Sequence, residues 1–367
     1  MNAEKTELLE DIEGISIIVG SIIGINILTM PSLMARYAKQ DGWMTTIIGG
    51  IYPLIISMLL TYYAKKHPNE NILILSKKYL GKILGTICNV FFMFNFIVYF
   101  ISVAVGLSNV LIVHATTFLT PLKIYIPCIL LALYLSSMGI KVLGRINKLA
   151  LFLMLALGMA EFFILRRGTI LNILPVFESG YKNILRGSLQ SAYAYGGVEG
   201  IFLLYPYLKN KNKIKAISLK ATAISVFLYS WIIFLCIYYL GYAVTIKNLW
   251  PALLVTESVN LPIINSIRFP FLFLWILIAF KTLANNFFSI IFIISDMFKK
   301  NNSAKFYLAT SIFLFVLCLM VENETQRRRL MDIFYPISTL ISIVYITIIA
   351  LLISVNDKSK KSKLKKV

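Results

Sequence analysis

Long apolar runs follow one another along almost the whole chain, separated by short polar segments. A run of about 20 apolar residues can cross the hydrocarbon core of a membrane as an α-helix. Inside that core a helix satisfies its own backbone hydrogen bonds, so each spanning segment is predicted to be helical. The pattern predicts an all-α integral membrane protein with ten transmembrane helices, at residues 12–34, 43–63, 83–112, 121–138, 148–165, 187–207, 216–243, 269–296, 306–321 and 333–355.

The first span is interrupted by residues that weaken a helix. It contains IIVGSIIGINILTMPS, in which Gly20, Ser21, Gly24 and Asn26 occupy the centre and Pro31 follows. An unpaired backbone group in hydrocarbon costs several kcal/mol, so an irregular segment at this depth needs a partner for its freed groups. Such a segment is tolerated where it lines a cavity for a ligand or an ion.

The sixth span carries a second interruption at a comparable depth. It reads LQSAYAYGGVEGIFLLYPYL, with Gly196, Gly197, Glu199 and Gly200 near its middle. Two interrupted helices at matching positions of two oppositely oriented five-span halves are typical of an inverted-repeat transporter with a site at the midplane. The alternative is that the small residues mark close helix packing without unwinding. The mirrored positions, with a polar residue in each patch, favour unwinding.

The repeat organises the chain as a single transmembrane domain, residues 1–367. The first five-helix repeat covers 12–165, the second covers 187–355, and a basic cytoplasmic tail covers 356–367. The first span has no cationic flank and no small-residue cleavage site, so we interpret it as retained and not as a signal peptide.

Composition agrees with a membrane protein and argues against several other classes. Hydrophobic residues make up 59% of the chain and charged residues 14%, whereas soluble domains carry about 25% charged residues. The net charge of +20 comes mainly from lysines in short loops and the tail on the side of the termini. This bias predicts cytoplasmic termini and attraction to membrane lipid.

No pattern of another kind of site stands out in the sequence. There is no aromatic-basic module for nucleic acid, no disulfide framework or zinc spacing among the four cysteines, and no nucleophile set or phosphate loop. We therefore expect no enzyme activity, no cofactor, no metal and no nucleic-acid partner.

Several segments resemble the spore germination permease family, the B subunits of nutrient germinant receptors in spore-forming bacteria. The resemblance covers nearly the whole chain, and it rests on segments that occur in the family's order: GISIIVGSIIGINILTMPS, DGWMTTIIGGIYPL, ILPVFESGYKNIL, YGGVEGIFLLYPYLK and LWPALL. Members often carry an acidic residue two positions after the arginine that opens span eight. Here Arg268 is followed by Phe269 and Pro270, so any ion pair of that residue is missing or formed differently.

The resemblance implies a fold and a function. The family is a branch of the amino acid/polyamine/organocation transporter superfamily, which implies a LeuT-like 5+5 inverted repeat with discontinuous helices 1 and 6. Spans 1, 2, 6 and 7 would form the core bundle, spans 3, 4, 8 and 9 the scaffold, and spans 1, 3, 6 and 8 would border the site. The expected function is a ligand-sensing subunit that binds a small germinant, an amino acid, beside A and C subunits in the inner spore membrane. The alternative is a proton-coupled amino acid transporter.

The substrate-binding residues are predicted at the two interruptions and beside them. Glu199 could receive a substrate amine, carry a proton, or lock span six by bonding its freed backbone groups, since a carboxylate near the bilayer centre faces a cavity or a partner. Tyr99 and Tyr195 are aromatic candidates for closing a small pocket, although packing is the commoner role of such tyrosines. The full set is Gly20, Ser21, Gly24, Asn26, Tyr99, Tyr195, Gly196, Gly197, Glu199 and Gly200.

Lys281, Thr282 and Asn285 form a predicted coupling site in span eight. Lys281 lies too deep in its span to reach the interface easily. In sodium-coupled relatives, span eight lines an ion site against the unwound part of span one, so the ammonium could replace that cation. The alternative is an ion pair with Glu199 or a bond to a backbone carbonyl.

The charge bias predicts the accessibility of two positions. In a cysteine-free background, an external impermeant thiol reagent should modify a cysteine at position 328 and spare one at position 361, because the first is predicted outside and the second in the cytoplasm. Mass spectrometry of sealed, right-side-out vesicles measures both. The reverse labelling pattern would rule out the ten-span arrangement.

Overall fold

A computed structural model of the protein describes residues 8–257, 268–298 and 304–364. Helices account for most of this part of the chain, and short 3₁₀ turns join several of them. The α-helices are α1 Asp11–Ile22, α2 Asn26–Ala38, α3 Gly42–Gly49, α4 Ile51–Lys66, α5 Ile72–Leu80, α6 Lys82–His114, α7 Pro121–Ser137, α8 Ile140–Ala160, α9 Tyr181–Ala192, α10 Ile201–Leu204, α11 Ile214–Leu240, α12 Tyr242–Lys247, α13 Pro251–Glu257, α14 Arg268–Phe298, α15 Ala304–Leu319 and α16 Glu324–Leu364.

Each predicted span falls on helical residues, which confirms the all-helical class. Within the described ranges, six helical segments are long and apolar enough to cross a membrane: Asn26–Lys66, Lys82–His114, Ile140–Arg166, Lys211–Leu240, Arg268–Phe298 and Glu324–Asp357. Two shorter apolar helices, Pro121–Ser137 and Ala304–Leu319, match predicted spans four and nine. The first and sixth spans are divided into pieces, so the count of ten stays a prediction.

The α-helix is broken near both predicted interruptions, at residues 23–25 and at 196–197, although Gly20 and Ser21 still belong to α1, Asn26 opens α2, and Glu199 and Gly200 lie in a 3₁₀ turn. Helix α1 ends at Ile22, Ile23 is extended with φ −88° and ψ 107°, and α2 begins at Asn26. In the sixth span, α9 ends at Ala192, and only the four-residue α10 is α-helical between there and Tyr207. Pro31 does not break α2, which continues to Ala38.

The helices pack in the two groups that the LeuT-like prediction requires. The pieces of spans one, two, six and seven contact one another, through α1 with α11, α3 with α9, and α11 with α3 and α4. The helices of spans three, four, eight and nine form the second group, through α14 with α6 and α7, and α15 with α7. Helix α1 contacts α14 across the boundary between the groups, and it also packs against α8 of span five. The two interruptions therefore lie where the core bundle meets the scaffold.

On the side of the N-terminus, the core bundle is tied to its surroundings. The Leu9 N–H donates to the carbonyl of Tyr207 (2.9 Å), and the Lys209 N–H donates to the carbonyl of Leu9 (2.9 Å). Two ion pairs reinforce this contact, Glu13 with Lys141 at 2.9 Å and Asp11 with Lys213 at 3.0 Å. These bonds join both discontinuous helices on one face of the molecule.

Helix α16 differs from its prediction at both ends. It begins at Glu324, so the predicted outer-loop arginines lie in its first turns, and it runs to Leu364 through most of the predicted separate tail. Arg327 is 2% exposed because it is paired with Glu324 (2.5 Å). Among the lysines used for orientation, Lys5, Lys299, Lys300, Lys365 and Lys366 lie outside the described residues.

Candidate ligand site at the two helix interruptions

The interruption of helix 1 frees carbonyl groups that a buried lysine binds. A helix end leaves its last carbonyls without partners inside the helix. The Lys281 Nζ donates to the carbonyl of Gly20 (2.5 Å) and to that of Ile23 (2.7 Å). Lys281 reaches these groups from α14, and its side chain is fully buried. The alternative of a backbone-carbonyl partner for Lys281 is thus the arrangement observed.

The Lys281 ammonium has a partner for each of its three N–H donors. Its third hydrogen bond goes to the hydroxyl of Thr282, at 3.0 Å. All three ligands are neutral oxygens, two from the unwound backbone of helix 1 and one from α14. A buried charge is tolerated only when it is well bonded. This set of oxygens is also what a small hard cation takes in proteins.

A pair of asparagines lies beside the Lys281 cluster. The Asn147 amide donates to Asn285 Oδ1 (2.7 Å), and the Asn285 amide donates back to Asn147 Oδ1 (3.0 Å). The Asn285 amide also reaches the Ser21 hydroxyl, at 3.3 Å. A Cβ on Gly20 would overlap the side chain of Asn147, so Gly20 permits this close approach. Sequence reasoning missed Asn147, because the predicted span began just after it.

The interruption of helix 6 depends on two glycines that touch other helices. Gly197 has φ +99°, a conformation that side chains other than glycine rarely adopt. A Cβ there would overlap the carbonyl oxygen of Ser21, and a Cβ on Gly196 would overlap the hydroxyl of Tyr99. The backbones of the two interruptions are therefore in direct contact, which the predicted midplane site requires.

Glu199 bonds the freed backbone of its own helix. Its Oε2 accepts the Gly197 N–H at 2.7 Å, and its Oε1 accepts the hydroxyl of Tyr52 from α4. Glu199 and Lys281 are both fully buried, but among the described residues they belong to separate hydrogen-bond groups and form no ion pair. Tyr52 gave no signal in the sequence beyond being a polar side chain within a span.

Asn95 on α6 is the third residue of the site, after Asn147 and Tyr52, that sequence reasoning missed. It is fully buried and lies close to the Glu199 carboxylate. Its amide nitrogen faces the Glu199 carboxylate, and its amide oxygen has no hydrogen-bond partner in the described part of the chain. A buried polar group without a partner costs about 1–3 kcal/mol, so Asn95 has an acceptor to offer a bound molecule.

Two predicted site residues lie apart from this contact. Tyr195 donates its hydroxyl to the carbonyl of Thr46 (2.7 Å), so it ties helix 6 to span two. Asn26 lies at the start of α2 and lines a cavity of about 110 Å³.

A smaller cavity, of about 10 Å³, lies at the contact itself and is lined in part by Ser21, Gly200 and Asn285. Gly24 lies against Thr282, where a Cβ would come within 3.2 Å of its methyl group.

Comparison with known proteins identifies the family. The model of the family described as "Spore germination protein" matches residues 8–327. The chain belongs to the spore germination protein family. Spore germination protein YndE of Bacillus subtilis (strain 168) is 26% identical over 84% of this chain and 86% of its own length. Spore germination protein B2 of the same organism is 24% identical over 91% and 90%. The resemblance inferred from the sequence is thus confirmed.

A solved structure confirms the fold. The crystal structure of MhsT in complex with L-phenylalanine superposes with a TM-score of 0.65 at 13% identity, and the match covers 93% of this chain and 87% of that chain. This similarity establishes the LeuT-like architecture. Arg268 at the start of α14 pairs with Glu257 of α13 at 3.0 Å.

Gly197→Ala is expected to destabilise the protein more than Gly139→Ala. Both glycines have positive φ, at +99° and +89°, but a Cβ at Gly139 meets nothing within 4 Å. The overlap with Ser21 should add about 1–3 kcal/mol to the loss at Gly197, as overpacking does elsewhere. Unfolding in detergent, followed by circular dichroism, measures both variants. Equal losses of unfolding free energy in the two variants would show that Gly197 and Ser21 are not in tight contact.

Proposed function

We propose that this chain is the ligand-sensing B subunit of a spore nutrient germinant receptor. It binds a small amino acid at the midplane, between helices 1, 3, 6 and 8, and passes the event to A and C subunits in the inner spore membrane. The membership of the germination family supports this proposal. The observation that carries it is the direct contact of two interrupted helices, at Ser21 and Gly197.

The groups around this contact suit an amino acid. Helix α2, which begins at Asn26 beyond the interruption, has no side-chain cap. Its Leu28 N–H donates to the carbonyl of Ile25 at 3.1 Å, and the N–H groups before it form a helix N-terminus, which favours a carboxylate. On the other side, Glu199 keeps lone pairs beyond its two observed bonds, and the Asn95 amide oxygen has no partner among the described residues. Both oxygens can accept hydrogen bonds from a ligand ammonium.

A ligand at this contact would act on the packing of both helices. Ser21 and Gly197 leave no room for an added atom between them, so a ligand must move one helix against the other or select a state in which they have moved. Binding then shifts the population between two packings. In this proposal, partner subunits respond to that shift.

We further propose that Lys281 takes the place of a coupling cation, as the sequence analysis suggested. The ammonium lies between the carbonyls of Gly20 and Ile23 and beside the Thr282 hydroxyl. Because the Lys281 side chain supplies the positive charge of the coupling cation, ligand binding needs no sodium in this proposal.

This proposal predicts how sodium affects stability. The wild-type unfolding midpoint should be the same in sodium and in potassium, whereas Lys281→Ala should be destabilised and then gain stability from sodium. The vacated oxygens provide the site, and sodium at 100 times its Kd would add about 2.7 kcal/mol. Thermal unfolding in detergent measures the effect. Lys220→Ala, at an exposed lysine of α11, is the control and should respond to neither ion.

Two results would contradict the role of Lys281. One is stabilisation of the wild type by sodium over potassium. The other is a Lys281→Ala variant that folds but is indifferent to sodium.

Transport by the chain alone tests the proposed function against the alternative, a proton-coupled amino acid permease. The purified chain in liposomes should bind one or more of the twenty L-amino acids without net uptake, even with an alkaline interior. Uptake driven by the pH gradient would favour the permease. The matched control is Gly197→Ala, which should lose the binding at the midplane in either case, and unchanged binding by that variant would contradict a midplane site.

A further inference from the structure

A cavity of about 30 Å³ lies between helix 1 and the helices α8, α11 and α14. Among the described residues that line it, only Glu161 is charged, and most of the others are aliphatic or aromatic. Its aromatic lining residues are Trp231, Phe271 and Trp275. Ile23, in the interruption of helix 1, also borders this space, so the cavity lies where the core bundle meets the scaffold.

Glu161 is a buried carboxyl group without a protein partner. It begins the 3₁₀ turn Glu161–Arg166 that follows α8, and the residue is only 8% exposed. Within residues 8–257, 268–298 and 304–364 it forms no hydrogen bond or ion pair. The segment 258–267 contains no lysine, arginine or histidine. A carboxylate at such a depth faces a partner or a cavity, and this one faces the cavity.

Two tryptophans border the same space from the two groups of helices. Trp231 of α11 donates its indole N–H to the carbonyl of Gly158 (3.3 Å), so its ring is what remains to meet a ligand. Phe162 packs on Trp231 with ring centres 4.5 Å apart and fixes its position. Trp275 of α14 is 1% exposed. Aromatic rings attract cations, and they do so more strongly where water is excluded.

We propose that this cavity binds a small methylated ammonium ion, with methylammonium as the best-fitting member of the class. The Glu161 carboxylate accepts hydrogen bonds from the ion and balances its charge, while Trp231 and Trp275 border its methyl group. A water-sized group needs about 10–15 Å³, so a cavity of about 30 Å³ holds about two such groups. Methylammonium has two non-hydrogen atoms. This site is independent of whether the chain senses or transports an amino acid.

Other small molecules suit this wall less well. Sodium and potassium require several oxygen ligands, whereas Glu161 supplies the only charged oxygens among the described lining residues. A bare ammonium ion has more N–H donors than methylammonium, and an apolar wall leaves some of them without acceptors. Methanol has the size of methylammonium but would leave the carboxylate charge unbalanced. The wall therefore selects an ion that combines a positive charge with an apolar group.

A ligand series on the wild type is the first test. The unfolding midpoint of the full chain in nanodiscs is measured against the concentration of methylammonium chloride, potassium chloride or methanol, and the shift gives each apparent Kd. Methylammonium should bind at least about tenfold more tightly than potassium or methanol, because each of these lacks one of the two recognised features. Tetramethylammonium should be excluded by its size. This series does not depend on the folding of any variant.

Three variants then locate the bound ion. Glu161→Gln keeps the size of the side chain but removes its charge, so it should weaken methylammonium binding by about tenfold or more. Trp231→Leu should weaken that binding by about threefold or more, because it removes one ring. Glu322→Gln, at an exposed carboxyl group between α15 and α16, is the matched control and should bind as the wild type does. Unfolding midpoints without ligand show whether each variant is folded.

Three results would overturn the ammonium site. They are wild-type methylammonium affinity in Glu161→Gln, equal stabilisation of the wild type by methylammonium and potassium, and no effect of methylammonium at any concentration. Each result would leave the proposed function standing, because the contact of Ser21 with Gly197 lies outside this cavity. Loss of amino acid binding in Gly197→Ala, in turn, would leave methylammonium binding unchanged.

Discussion

Helix 1 can stay irregular in the middle of a membrane only if its freed carbonyls are bound, and the Lys281 ammonium binds them. The carbonyls of Gly20 and Ile23 and the hydroxyl of Thr282 take all three of its donors. Hydrocarbon offers no water to replace these bonds. The lysine therefore holds the unwound segment of the core bundle against α14 of the scaffold.

The second interruption is held by the opposite kind of charge. Glu199 bonds the Gly197 N–H and the Tyr52 hydroxyl, so the carboxylate secures helix 6 as the ammonium secures helix 1. Because Glu199 and Lys281 bond to different groups, helices 1 and 6 share no ion pair that would have to break if one helix moved against the other. Between them only the glycine at 197 fits against the Ser21 carbonyl.

The two faces of the protein differ in how their helices are joined. On the face of the N-terminus, backbone pairing of Leu9 with the end of helix 6 and the ion pair of Glu13 with Lys141 join helix 1 to its neighbours. On the other face, α2 and the first turns of α16 border a cavity of about 110 Å³, which Arg36 and Asp332 line. The proposed midplane site lies between these two faces.

The sequence by itself determined the helical membrane class, the approximate position of both interruptions and the presence of two ionisable side chains, Glu199 and Lys281, beside them, because the cost of polar groups in hydrocarbon can be read from residue order. It could not determine the partners. The tertiary structure decided that Lys281 binds carbonyls and not Glu199, and that Arg327 is buried. It also decided that Tyr52 and Asn95 lie beside Glu199 and that Tyr195 donates to the carbonyl of Thr46. A hydrogen bond requires atoms about 3 Å apart, and only the packing of helices distant in sequence brings those atoms within reach.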